Sequence, residues 1–160
     1  MAVDQFLKLD GIDGESQDDK HKDTMDVLAW SWGMSQSGTT HMGSGGGAGK
    51  VNVQDISVTK YIDKASPVLM QFIAKGTHIP KGLLTVRKAG DKPLEYVKIE
   101  MEDIMITSAS TGGSGGEDRL TENVTLNFSK FKVVYTEQGK DGAAGKAPEF
   151  GFDIAANKPA

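Results

Sequence analysis

Apolar and polar residues alternate with period two along most of this chain, in segments separated by glycine, proline or charged clusters. Such alternation predicts half-buried β-strands. Over 26–34 it places Leu28, Trp30, Trp32 and Met34 on one face and Val27, Ala29, Ser31 and Gly33 on the other. One face carries two indoles; the opposite face is small. Over 94–106 the apolar phase of Val97, Ile99 and Met101 slips by one residue at Glu102 and Asp103 and resumes at Ile104. A second slip separates Val124, Leu126 and Phe128 from Phe131, Val133 and Tyr135. β-Bulges are the expected cause, and bulged strands curl into barrels. Shorter strands are predicted at 5–9, 51–58, 82–87 and 150–154. One segment reads as helix, with Ser66 as N-cap, Pro67 in the first helical position, Gly76 as the stop, and Leu69, Phe72 and Ile73 on the packing side.

Composition adds limits. At 160 residues and 17.1 kDa the chain fits one domain over 1–160. It holds no cysteine, which removes disulfide frameworks, thiolate metal sites and cysteine nucleophiles. Its net charge of −4 and pI near 5.3 lack the basic footprint of a nucleic-acid binder. The N-terminus shows neither a basic nor an apolar leader segment, and no stretch approaches the ~20 apolar residues of a membrane span. The expected location is therefore cytoplasmic, with any export independent of a cleavable signal peptide.

Twenty glycines are the compositional oddity, and eleven of them fall within two short stretches, 33–49 and 112–116. Both stretches mimic catalytic motifs without their context. Gly43-Ser44-Gly45-Gly46-Gly47-Ala48 spells a dinucleotide fingerprint, but it leads into the strand-like Val51-Asn52-Val53 and not into a helix that could hold a pyrophosphate. Gly49-Lys50 echoes a P-loop ending without the hydroxyl that would follow. Gly112-Gly113-Ser114-Gly115-Gly116 spells a nucleophile elbow, yet the last histidine, His78, lies upstream of Ser114, the reverse of the order a hydrolase needs. His21, His41 and His78 show no metal-ligand spacing. The expectation is no enzyme activity, no cofactor and no metal. Glu117, Asp118 and Arg119 form a dense charge cluster beside the second glycine loop. They read as a salt-bridged turn or as a contact with a neighbouring subunit.

Four stretches then carry a resemblance. They are Leu28-Ala29-Trp30-Ser31-Trp32-Gly33-Met34, Gly45-Gly46-Gly47-Ala48-Gly49-Lys50-Val51-Asn52-Val53-Gln54-Asp55, Thr59-Lys60-Tyr61-Ile62-Asp63-Lys64, and the run from Ser110 through Gly112, Glu117 and Arg119 to Val124. In this order they resemble the haemolysin-coregulated protein (Hcp) family, the tube component of the bacterial type VI secretion machinery. The resemblance implies a two-sheet β-barrel with one flanking helix, assembled as a homohexamer. Its rings stack into a tube inside a contractile sheath, carry a spike, and leave the cell with small effector proteins in the lumen. It also implies an extended loop, here 33–50, that reaches the adjacent subunit.

Placed in such a ring, Gly45, Gly46, Gly47, Lys50, Asn52 and Asp55 are expected at the subunit interface. The alternation assigns Trp30 and Trp32 to the core, and Ala29, Ser31, Thr125 and Asn127 to a smooth polar lumen. No nucleic acid and no membrane insertion are expected. The alternative reading is a phage-type tail tube ring or a carbohydrate-binding β module unrelated to secretion.

Overall fold

The computed structural model describes residues 3–38 and 49–160. Its ten strands are β1 (Val3–Leu9), β2 (Met25–Ser31), β3 (Met34–Ser35), β4 (Asn52–Val53), β5 (Ile56–Tyr61), β6 (Ile79–Lys88), β7 (Leu94–Thr111), β8 (Thr121–Tyr135), β9 (Glu149–Asp153) and β10 (Lys158–Pro159); the helix is α1 (Ala65–Lys75). Strands β8, β5, β2, β1, β6 and β7 are paired in that order, and β7 pairs again with β8, closing a six-stranded barrel. β9 and β10 extend outward from β8. All pairings are antiparallel.

β8 serves three neighbours. Along one edge it pairs with β7 from Glu122 to Tyr135. Its other edge takes β5 as far as Leu126 and β9 from Lys130. The two long strands β7 and β8 therefore serve two sections of the barrel wall, one beside β5 and one beside β9, and both bend between them. The bend sits where the sequence slips phase, but it is not a register-shifting bulge. Met101↔Phe131, Glu102↔Lys130 and Ile104↔Phe128 keep one register across it. Both strands slip together, so Met101, Ile104, Phe128 and Phe131 are all buried. Asp103 absorbs the turn with φ +54°, and its carboxylate meets His78 Nδ1 at 2.6 Å.

Register shifts lie elsewhere: beside Thr107, between Ile106 and Ser108 of β7; beside Tyr96, opposite Val86 and Arg87; and beside Leu28 in β2. The last corrects the expected faces of β2. Val27 is in the core, Leu28 and Met34 are exposed, and Trp30 and Trp32 pack half-buried against the core as expected. One extra residue at Leu28 reverses the phase. The strand expected over 51–58 is split into β4 and β5. At the break, Gln54 N–H donates to Gly33 and the Gln54 carbonyl accepts from Trp32 Nε1 at 2.8 Å.

The helix begins two residues earlier than expected, with Lys64 as N-cap and no side-chain cap. Ser66 lies inside the first turn, where its hydroxyl accepts from Asp63 N–H and donates to Glu122. Gly76 ends the helix at φ +63°, a conformation open to glycine. Leu69 and Ala65 enter the core.

That first turn closes over a buried ionic network. Lys60 Nζ lies 2.9 Å from both Glu122 Oε2 and Asp63 Oδ1 and donates to the Tyr61 carbonyl at 2.8 Å. The Lys60 and Glu122 side chains are completely buried. A second ion pair ties the 10–24 connection to the barrel: Arg87 reaches both Asp18 oxygens at 2.7 and 3.0 Å and lies over the Phe6 ring. The Arg87 guanidinium holds the Asp18 carboxyl at a pKa of about 2, below its ordinary 3.8.

Two outcomes are expected. Lys60→Met leaves a buried carboxylate uncompensated and costs about 3–5 kcal/mol in urea unfolding, whereas the Lys60→Met, Glu122→Leu double variant recovers most of that loss; equal costs for the two would show that the pair is not coupled. Because the Asp18 pKa is depressed on folding, its contribution is present above about pH 4 and is lost as the pH falls toward 2. Asp18→Asn should therefore flatten stability against pH in that window, measured by thermal unfolding.

Candidate functional site

Strands β2, β5, β8 and β7 lie side by side and turn one face inward to the core. Ile56, Val58, Val124 and Leu126 occupy that face, so the intervening residues must point outward. Pairing aligns those residues into rows. Ala29, Thr59, Asn123 and Ser110 form one row, and Ser31, Ser57, Thr125 and Ser108 the next. Each row crosses four strands, roughly 14 Å. Every side chain in both rows is small and uncharged.

The hydroxyls and amides of this face are linked. Thr59 Oγ1 donates to Asn123 Oδ1 at 2.7 Å. Thr125 Oγ1 lies 2.6 Å from both Thr107 Oγ1 and Ser108 Oγ. Asp55 accepts from Thr107 at 2.8 Å and from Asn127 Nδ2 at 2.9 Å. All four residues expected on a polar lumen, Ala29, Ser31, Thr125 and Asn127, thus share one face. Asp55, expected with the loop, is bonded into the same face. Ser57, Thr59, Thr107, Ser108, Ser110 and Asn123 were not singled out from the sequence. The alternation of Ile56, Val58 and Lys60 with Ser57, Thr59 and Tyr61 in β5 was the available signal.

Both outer edges of this four-stranded face are only partly covered by a strand among the described residues. β1 pairs with β2 only at Met25 and Asp26, and the Gln5 side-chain amide alone reaches the Val27 and Leu28 carbonyls beyond them. β6 leaves β7 at Ile104, so the outer edge of β7 through Thr111 has no strand beside it. Exposed strand edges are templates for pairing with another chain.

The remaining candidates lie at the ends of the face. Lys50 and Asn52 are exposed on the stem formed by β3 and β4, where Asn52 pairs with Ser35. Gly45, Gly46, Gly47 and His41 lie outside the described residues. Glu117, Asp118 and Arg119 are exposed, and among the described residues no ion pair joins them. In place of the salt-bridged turn, Arg119 stacks 3.7 Å over the Tyr61 ring, a cation–π contact. A groove of about 770 Å³ lies elsewhere on the barrel, between Lys8, Lys81, Glu100 and Phe150. Its charges are partly matched across strands, Lys130 with Glu102 and Lys132 with Glu149.

Among the described residues no group of three or more histidine, cysteine, aspartate or glutamate side chains could hold a metal ion, and no helix is long and apolar enough to cross a membrane. His21 stacks on Phe6 and His78 pairs with Asp103.

Comparison with known proteins agrees with this architecture. The family model described as "Type VI secretion system effector, Hcp" matches residues 6–135. The chain belongs to the Hcp family. It is 56% identical over 159 residues to Protein hcp1 of Pseudomonas aeruginosa, with 98% of each chain covered. Among solved structures, Hcp1 from Salmonella typhimurium aligns at TM-score 0.84 with 45% identity over 100% of both chains. A further structure, described as a type six secretion system protein, aligns at TM-score 0.92 with 32% identity over 99% of this chain and 100% of the other. The chain is a type VI secretion tube protein, and the reading as a carbohydrate-binding module falls away.

Proposed function

We propose that six copies of this Hcp-family chain close into a ring whose lumen is lined by the polar face of β2, β5, β8 and β7. The observation that carries this reading is the pair of free edges on that face. β2 and β7 are first and last of the four strands and run in opposite directions. Rotation about an axis parallel to the strands would therefore bring the β2 edge of one copy against the β7 edge of the next as an antiparallel pair. Such a contact is heterologous and closes only as a ring.

Stacked rings form the tube that a contractile sheath expels behind a spike, carrying small effector proteins out of the cell. The role is structural rather than catalytic. Small side chains in both rows leave the wall smooth, so cargo is held by dispersed polar contacts and can be released. Lys50 and Asn52, together with the glycines Gly45, Gly46 and Gly47, contact the neighbouring copy, as does the cluster of Glu117, Asp118 and Arg119. Six chains at −4 each carry about −24 per ring, so stacking relies on local complementary contacts.

Two variants separate wall from seam. Ser31→Trp places an indole in the second row; particles of hexamer mass should persist by light scattering while capture of co-expressed effectors drops at least tenfold, and unchanged capture would remove Ser31 from the lumen. Deleting residues 40–47 should lower the solution mass toward that of one chain. A hexamer of unchanged mass would show that the loop is not a subunit contact.

A further inference from the structure

The hydroxyl contacts around Asp55 have a direction that proton counting fixes. A threonine or serine hydroxyl carries one proton and two lone pairs, and an ionised carboxylate only accepts. Thr107 Oγ1 lies 2.8 Å from Asp55 Oδ2 and 3.2 Å from the Thr125 carbonyl. Its single proton goes to the carboxylate, the shorter and charge-assisted bond. The 2.6 Å contact between Thr107 and Thr125 then requires Thr125 to donate. With that proton committed, the 2.6 Å contact between Thr125 and Ser108 requires Ser108 to donate. The chain runs from Ser108 to Thr125 to Thr107 to Asp55. Asn127 points the same way, giving an amide proton to Asp55 Oδ1.

Three hydroxyl protons and one amide proton are thus drawn toward a single carboxylate. What remains unused on Ser108, Thr125, Thr107 and Asp55 is lone pairs. Asp55 is also the one charged residue among the outward-facing side chains of these rows and their bonded neighbours. We propose that this corner is an acceptor site that selects cargo presenting lysine or arginine side chains, and that it rests on the lumen placement proposed above. An acidic or acceptor-rich cargo surface would find there only the second Asn127 amide proton, set against the charge of Asp55. Polarisation along the chain strengthens it as a unit, so a hydroxyl two bonds from the carboxylate matters as well.

The test uses the purified full-length protein, with fluorescein-labelled nona-arginine and nona-glutamate as probes and light scattering on every variant. Wild type should bind nona-arginine at least tenfold more tightly than nona-glutamate, and more weakly as salt rises. Asp55→Asn should weaken nona-arginine binding about tenfold. Thr125→Val, which breaks the chain without changing charge, should weaken it about threefold. Asp13→Asn, the same charge change at an exposed position of the 10–24 connection, should alter it less than twofold. Equal losses for Asp55→Asn and Asp13→Asn would reduce the effect to bulk charge and overturn the inference. So would a change in particle mass on Asp55→Asn, since the carboxylate would then be a subunit contact. If wild type shows no ring and the pattern of losses persists, the acceptor site stands and the lumen placement fails.

Discussion

The shared pairing of β7 and β8 governs the rest of the structure. These strands are the longest among the described residues, and their pairing closes the barrel. If one strand alone carried the extra residue at the bend, the two would fall out of register beyond it, and every side chain past that point would change faces. Because both slip together, Ile104 and Phe128 return to the core directly opposite each other. The polar rows lie past a further shift at Thr107, carried by β7 alone, and align in the new register, Ser108 with Thr125 and Ser110 with Asn123. Asp103, at a backbone conformation rare outside glycine and held by His78, marks where the curvature is concentrated.

The buried network of Lys60, Glu122, Asp63 and Ser66 adds a second constraint. It joins β5, β8 and the start of α1 directly behind Thr59 and Asn123, the residues next to Lys60 and Glu122 on the outward face. An apolar pair could fill the same space with less desolvation cost. The ionic pair ties together segments 62 residues apart in the chain, and the wall of the polar face rests on it.

Much of this was legible in the sequence because alternation is local. The strands, the two phase slips, the single helix with Gly76 as its stop, and the small outward face of Ala29, Ser31, Thr125 and Asn127 all follow from neighbours within a few residues. What escaped depends on partners far along the chain. The phase reversal at Leu28 exists only relative to β5, and nothing in the run of residues from Val27 to Trp32 marks it. Lys60 and Glu122 are far apart in the chain, and only pairing sets them opposite each other inside the barrel. Arg119 was grouped with its acidic neighbours, yet its partner is the ring of Tyr61, 58 positions upstream. Asp55 was grouped with the loop before it, and its bonds to Thr107 and Asn127 on the polar face depend on strands far along the chain.

The two edges of the polar face are chemically different surfaces, and this sets how faults would spread through an assembly built on them. Each seam of the proposed ring takes one edge from each of two chains. A chain with a damaged β7 edge and a sound β2 edge could still join a growing arc, but the arc could not be extended from its damaged side. Such a chain would act as a terminator, and a minority of them mixed with normal copies would leave open arcs out of proportion to their number.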